Sequence, residues 1–247
     1  AGVDTSGTGG ATVNNVVTNR GAALETFSAT TAGAAAEATH RSTQIRNYSY
    51  GNTPGSAWDS FSIADGDKVV LHVEYCGNVG DLSGITANSG AITFTQIGSP
   101  VASGNDKISI WYADTSGVTS ITPAFSVGSS LKGIAFTAFS VTGAASGTAA
   151  ATAKSFPWVG GDDAHDIDGG LAAATDGVLL LTACTPNESV NPFVWTGATE
   201  VSEEDATPCA ISSAIQTTAA NVTLAGPNVG GLGYTSLGKI ASQWDPA

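Results

Sequence analysis

Between Asp67 and Gly143 the chain is a succession of short apolar and β-branched runs cut by Gly and Ser turns. A similar succession returns between Asp176 and Ser242. The first reads DKVVLHVEY (Asp67–Tyr75), AITFTQIG (Ala91–Gly98), DKISIWYA (Asp106–Ala113), SITPAFSV (Ser120–Val127) and KGIAFTAFSV (Lys132–Val141). The second reads DGVLLLTAC (Asp176–Cys184), PFVWTGATEV (Pro192–Val201), CAISSAIQT (Cys209–Thr217), NVTLAG (Asn221–Gly226) and GYTSLGKIAS (Gly233–Ser242). The step from Asp67 to Asp176 is 109 residues, and the later runs are offset by roughly 101–103. The same order with a drifting offset is what a duplication followed by loop changes produces.

Several runs alternate. Ile108 and Ile110 fall on one side, with Tyr112 beside them, while Lys107, Ser109 and Trp111 fall on the other. Period-two patterning gives a strand with one packed face and one face toward water or a partner. Val69–Leu71 and Val178–Leu181 are apolar throughout and fit strands covered on both sides, although the latter also fits a buried helical turn. Two apolar sheet faces must close on each other. The expected fold is therefore all-β, a jelly-roll-like antiparallel β-sandwich built from two similar strand sets. Whether each set stands alone or contributes half of one sandwich stays open, and one interlocked body is the preferred reading.

Charge narrows the choice of partners. Lys and Arg number 8 against 21 Asp and Glu, a formal net charge of −13, and the basic residues occur singly along the chain. A nucleic-acid backbone is repelled by such a field, so no nucleic-acid partner is expected. Charged residues are 12% of the chain, about half the usual share, so Thr, Ser, Asn and Gly must supply most of the polar surface. No run approaches 18 consecutive apolar residues, and no membrane partner is expected.

The chain divides into an extended N-terminal arm or wrapping segment (1–40), a first strand set (41–150) and a second (151–247) packed with the first as one body. Ala1–Asn15 is small, polar and without the basic and apolar regions of a secretion signal. Arg41–Tyr50 alternates weakly and reads as the first strand of the body. Gly77–Gly90 and Thr199–Pro208 read as polar loops. Gly143–Lys154 is the boundary between sets, as a linker or a crossing strand. At the end, Trp244 is expected to dock on the body.

Candidate chemistry is sparse. Asp162, Asp163, Asp166 and Asp168 surround His165 in FPWVGGDDAHDIDGG and offer hard oxygen ligands to calcium, with a solvated acidic loop as the alternative. Beyond that calcium no cofactor is expected. His72 lies inside a strand and reads as a satisfied core histidine. No GxSxG elbow and no spaced pair of glycosidase carboxylates occurs, and Glu203–Glu204–Asp205 reads as a solvated turn, so an enzyme is not expected. Three cysteines, Cys76, Cys184 and Cys209, leave at least one thiol over, with Cys184–Cys209 as the pair that strand ends could bring together. Five tryptophans could stack on sugar rings if exposed together, and Trp111, on the polar side of its strand, is the best outward-facing candidate for a glycan groove.

The runs GDKVVLHVEY (Gly66–Tyr75), ITFTQIGSP (Ile92–Pro100), DKISIWYADTSGVTSITPAFS (Asp106–Ser126), GIAFTAFSVTGA (Gly133–Ala144), DGVLLLTA (Asp176–Ala183) and FVWTGATEV (Phe193–Val201) resemble strand-duplicated jelly-roll modules of bacteriophage structural proteins and some bacterial surface proteins. The resemblance covers about residues 41–242. It implies a virion accessory protein on the outer surface: head decoration, head fibre or tail-associated, a homo-oligomer bound to the major capsid protein or other virion proteins. It brings no catalytic residues. The rival expectation is an extracellular adhesion or glycan-binding module.

Overall fold

The computed structural model describes residues 39–48, 60–76, 82–103, 106–127, 133–145, 151–157, 165–166, 171, 173, 175–186, 193–206, 209–225 and 236–247. The first 38 residues, most of the expected arm 1–40, lie outside them, and Thr39 and His40 begin the first strand. The first strand set comprises β1 (Thr39–Tyr48), β2 (Phe61–Ser62), β3 (Lys68–Cys76), β4 (Leu82–Ala87), β5 (Ile92–Thr93), β6 (Thr95–Ser103), β7 (Asp106–Asp114), β8 (Ser120–Ile121), β9 (Pro123–Val127) and β10 (Gly133–Thr142). The second comprises β11 (Ala151–Pro157), β12 (His165–Asp166), β13 (Val178–Pro186), β14 (Val194–Thr196), β15 (Thr199–Ala206), β16 (Cys209–Gln216), β17 (Thr223–Ala225) and β18 (Ser236–Trp244). Among the described residues the helical content is one short 3₁₀ turn, Asn88–Gly90.

Each set builds one five-stranded antiparallel sheet, and the two sheets have matching order: β1-β10-β3-β7-β6 and β11-β18-β13-β16-β15. In both, the central strand is the apolar run that follows an Asp–Gly turn. Smaller sheets, β5-β4-β9 and β2-β8 in the first set and β12-β17-β14 in the second, complete the count.

Alternation divides the side chains among three cores. Val69, Leu71, Val73 and Tyr75 of β3 pack with Trp111, Phe136, Ile85 and Phe125, so the outer face of the first large sheet is covered by its own small sheet. Leu179, Leu181 and Ala183 of β13 pack with Ala214, Phe193, Val222 and Leu224 in the corresponding place in the second set. The intervening residues Val70, Ile108, Ile110 and Phe139 meet Val178, Leu180, Ile211, Ile240 and Trp244, closing the two large sheets face to face. Across this middle layer β1 lies against β15, β10 against β16, β3 against β13, β7 against β18 and β6 against β11. That pairing maps onto itself when the two sets are exchanged, so a pseudo-twofold relates them. Both faces of each large sheet are buried. This explains why Val69–Leu71 and Val178–Leu181 are apolar without interruption.

The strands place the duplication one residue away from the register read in the sequence. Aligning Asp67 with Asp176 gives 109, but β3 and β13 have the same length with starts at Lys68 and Val178, and His72 faces Thr182 at a separation of 110. A slip of one residue in a strand exchanges its two faces. The turn before each strand agrees with 110: Gly66 has φ +83°, and its counterpart is Asp176 at φ +59°. Asp is among the few residues with a side chain that tolerate this region. The polar residue of one turn thus stands where the other has glycine, and matching the two aspartates misaligns the strands. For β7 and β10 the equivalent step is 103, as from Thr137, opposite His72, to Ile240, opposite Thr182.

Several segments expected as loops are strands. Gly77–Gly90 contains β4, whose Leu82, Ile85 and Ala87 enter the first core. Thr199–Pro208 is largely β15, the edge of the second large sheet, with a register shift between Glu200 and Ser202. β6 runs on past a bulge between Ile97 and Val101 as far as Ser103. β15 is an edge strand carrying Glu200, Glu203 and Glu204, and charge on an edge deters pairing with another chain. The expected docking of Trp244 is met in a stronger form: it is buried in β18 within the middle core.

Side-chain amides hold the turns. Asn88 accepts from the Thr122 amide through Oδ1 at 2.9 Å and donates from Nδ2 to the Ser120 carbonyl at 2.9 Å. Buried Gln216 accepts from the Ala173 amide at 3.1 Å and donates to the Gly197 and Ala220 carbonyls at 3.0 and 2.8 Å. Gly66 and Gly197 have similar dihedrals, φ +83° and +80°, but a Cβ at Gly66 meets nothing within 4 Å and one at Gly197 lies 2.1 Å from the Asn221 carbonyl oxygen. Gly66→Ala is therefore expected to cost about 1–2 kcal/mol, the left-handed strain alone. Gly197→Ala is expected to cost clearly more, as read from paired urea melts, and equal losses would show that the Gly197 turn is not seated against Asn221.

Candidate functional site

Polar side chains converge in one described place, the middle of the layer between the two large sheets. Period-two alternation gives β3 an inward set of Lys68, Val70, His72 and Glu74, and the central member meets the opposite sheet. His72 has no solvent exposure. Its Nδ1 lies 3.0 Å from Thr182 Oγ1 on β13, and its Nε2 lies 2.8 Å from Ser242 Oγ on β18. The chain of hydroxyls continues from Thr182 to Ser213 at 3.3 Å and from Ser213 to Thr137 at 2.7 Å. At the other end, Trp244 Nε1–H donates to Ser242 Oγ at 3.1 Å. Phe139 meets the imidazole edge-on, with ring centroids 5.0 Å apart.

Burial pushes the His72 pKa down from 6.5 to about 3, because the charged ring would be stripped of water. The neutral ring has one donor and one acceptor nitrogen, and hydroxyls serve either role. Both nitrogens are thus satisfied without a charge. Ser242 and His72 stand at nucleophile–base distance, but Nδ1 faces a threonine hydroxyl where a hydrolase triad has a carboxylate, and Ser242 is fully buried. The geometry is that of a structural bridge between sheets.

The two ends of the same layer differ. At one, the buried Lys68 ammonium pairs with the Asp114 carboxylate and lies over the rings of Tyr112 and Trp244, 4.8 and 5.2 Å from their centroids. At the other, the Cys184 thiol donates to the Gly238 carbonyl at 3.6 Å, beneath Ile108 of the facing sheet. Trp244 pairs with Val178 at the start of β13, so Lys68 and Val178 lie at one end and β3 and β13 run in the same direction.

The residues singled out in the sequence are scattered relative to this layer. Of the aspartates, Asp162, Asp163 and Asp168 lie outside the described residues, and Asp166 is placed by its backbone alone, paired with Thr223. Among the described residues no group of three or more His, Cys, Asp and Glu is placed to hold a metal. Trp111 does not face outward. It is 5% exposed, packs in the first core and donates from Nε1 to Ser109 Oγ at 2.9 Å, because the small sheet covers the face expected to be free. Trp195 is half-buried against the second outer core and donates to Ser212 Oγ at 2.8 Å. Trp58 and Trp158 lie outside the described residues. Glu203 and Glu204 sit in β15 rather than a turn, and Glu203 accepts from the Phe193 amide at 3.3 Å. Cys184 stands opposite Ile211 and Cys209 opposite Pro186, two register steps apart, and Cys184 is a buried thiol. Diagonal neighbours of this kind are wider apart than the 3.5–4.5 Å Cβ separation of a disulfide.

Reading the sequence found His72 as a satisfied core residue but missed its partners. The available signal was a hydroxyl interrupting an apolar run: Thr182 within LLLTAC, Thr137 within IAFTAF and Ser242 after KIA. No protein-family model, curated protein or solved structure matches the chain.

A Cβ on Gly238 would lie 2.7 Å from Cys184 Sγ and 3.3 Å from Ile108 Cγ2. Gly238→Ala is expected to destabilise the protein by about 1–3 kcal/mol through overpacking. Cys184→Ala in the same chain should recover part of that loss, measured as the coupling in a double-mutant cycle. Additive losses would contradict the packing at this end of the layer.

Proposed function

We propose that the chain is a virion structural protein, a capsid decoration or minor capsid or fibre protein, built as two jelly rolls packed through their larger sheets. One observation carries the reading, the strand order. In the first set β1-β10-β3-β7 form most of the large sheet, while β2 pairs β8 and β9 pairs β4, which pairs β5. Two nested Greek keys generate this order, and such rolls are frequent in viral capsid and lectin domains. The second set repeats it with β11-β18-β13-β16 and β12-β17-β14. Fold alone does not assign function, so the reading also leans on how the surface is distributed.

With both faces of each large sheet buried, the surfaces left for a partner are loops, sheet edges and the outer faces of the small sheets. A protein with that distribution works by covering neighbouring subunits. Its apolar contact contributes roughly 25 cal/mol per Å2 buried before ordering terms, and repetition over a symmetric shell multiplies a modest contact. The acidic balance of −13 suits a shell with basic outer patches. The contact regions we assign are the arm 1–38, the loop between β3 and β4, and the acidic segment 160–170, where calcium held by Asp162, Asp163, Asp166 and Asp168 would bridge subunits. A homo-oligomer on the shell fits this role.

The test is co-sedimentation of the purified protein with capsid shells prepared without it. Saturable binding at a fixed ratio per capsomer, weakened by removing residues 1–38, is the expected result. Failure to bind shells together with saturable binding on a glycan array would replace this reading with that of a lectin-type adhesin.

A further inference from the structure

We propose that the layer between the two five-stranded sheets is an acid-sensitive seam, which parts when the His72 imidazole takes up a proton while each strand set stays folded around its own core. The composition of the three cores points there. In the outer cores the buried polar side chains bond within their own strand set: Ser109 with Trp111 and Ser140 with Asp67 in one, Ser212 with Trp195 and Gln216 with the Ala173 amide in the other. The middle core alone is threaded by the buried chain Thr137–Ser213–Thr182–His72–Ser242. Every hydrogen bond of that chain which crosses between the sheets is made by His72 or Thr137. The seam also separates units that carry their own sheet pairs; among the described residues the backbone bonds that join them lie at one end, from the Ala145 amide to the Asp245 carbonyl and from the Ala247 amide to the Gly143 carbonyl, so opening away from that end breaks no strand ladder.

The side chains in direct contact with the ring are uncharged. From β7 it is faced by Ile110, from β10 by Thr137 and Phe139, from β13 by Thr182, from β16 by Ser213 and from β18 by Ser242. The titratable and charged groups in the same layer lie farther along it. On β3 these are Glu74, two residues on, and Lys68, four residues back and paired with Asp114. Tyr112 of β7 and Cys184 of β13 lie toward the ends. On β1, His40 touches the far side of Phe139, with ring centroids 6.2 Å apart, and Glu204 of β15 lies opposite Ile211 at the edge.

The sign follows from linkage. In the closed seam the ring titrates at about 3, and once exposed it returns to 6.5. Between these values only the open form binds the proton, so opening becomes more favourable as pH falls, by roughly tenfold per pH unit. The closed state is fully favoured above 6.5. A shell component with such a seam would loosen in an acidified compartment without losing its strands.

The experiment uses the full chain. Cys184 lies in the seam, so its labelling by dithiodipyridine, located by peptide mapping and normalised to a free small thiol, reports opening. From pH 6 to pH 4 the normalised rate should rise by about two orders of magnitude, while the far-ultraviolet strand signal is kept and the radius of gyration from X-ray scattering increases. His72→Gln, which keeps a neutral donor and acceptor, should flatten that pH dependence. A rate that does not change with pH, or one that rises only together with loss of the strand signal, would overturn the proposal. If His72→Gln fails to fold, the wild-type comparison of labelling against strand signal decides alone.

Discussion

Everything else in the molecule depends on which face of β3 turns toward the second strand set. His72 can be buried because Thr182 and Ser242 meet both ring nitrogens, and those partners exist only in the register that places Val70, His72 and Glu74 inward. Shifted by one, the strand would press Leu71 and Val73 against the opposite sheet and turn the imidazole into an apolar core with no hydroxyl for it. A buried polar group without a partner costs on the order of 1–3 kcal/mol. The hydroxyl chain therefore fixes the register of the two sheets, and the apolar residues around it supply the attraction.

From that constraint the layering follows. Each large sheet gives one face to the seam and the other to its own small sheet, so neither is left for water. Such burial explains why a chain with few charges still has a substantial interior, and why its tryptophans at positions 111 and 244 serve packing rather than ligand stacking. Among the described residues, Val194 is the one large hydrophobic side chain well exposed, at 53%. The recognition we propose then falls to edges and loops. The pseudo-twofold pairs a histidine with a threonine at its centre, so the two halves have diverged where they touch and each supplies what the other lacks.

Much of the fold was legible in the sequence. The runs at Asp67–Tyr75, Asp106–Ala113 and Lys132–Val141 became β3, β7 and β10 within a residue or two, because alternation and bounding turns act locally. The repeat was legible in order but not in phase: Asp67 and Asp176 look equivalent as letters, while the left-handed turn equates Asp176 with Gly66. Trp111 reads as lying on the free side of a half-buried strand, since alternation within β7 carries no sign of the small sheet, β4, β5 and β9, that covers it from 12 to 29 residues away. β15 was hidden by its acidic residues, which belong to an edge strand as readily as to a loop. The partners of His72 were beyond reach for the same reason, lying 110 and 170 residues away. As to the acidic segment, Asp162, Asp163 and Asp168 lie outside the described residues, and its reading still rests on sequence.

The most direct measurement is nuclear magnetic resonance of the His72 ring in the intact protein at neutral pH. The two-sheet seam predicts a neutral imidazole with Overhauser contacts to the Thr182 methyl and to the Phe139 ring. A ring that titrates near 6.5 and shows no contact with the second strand set would contradict the face-to-face packing.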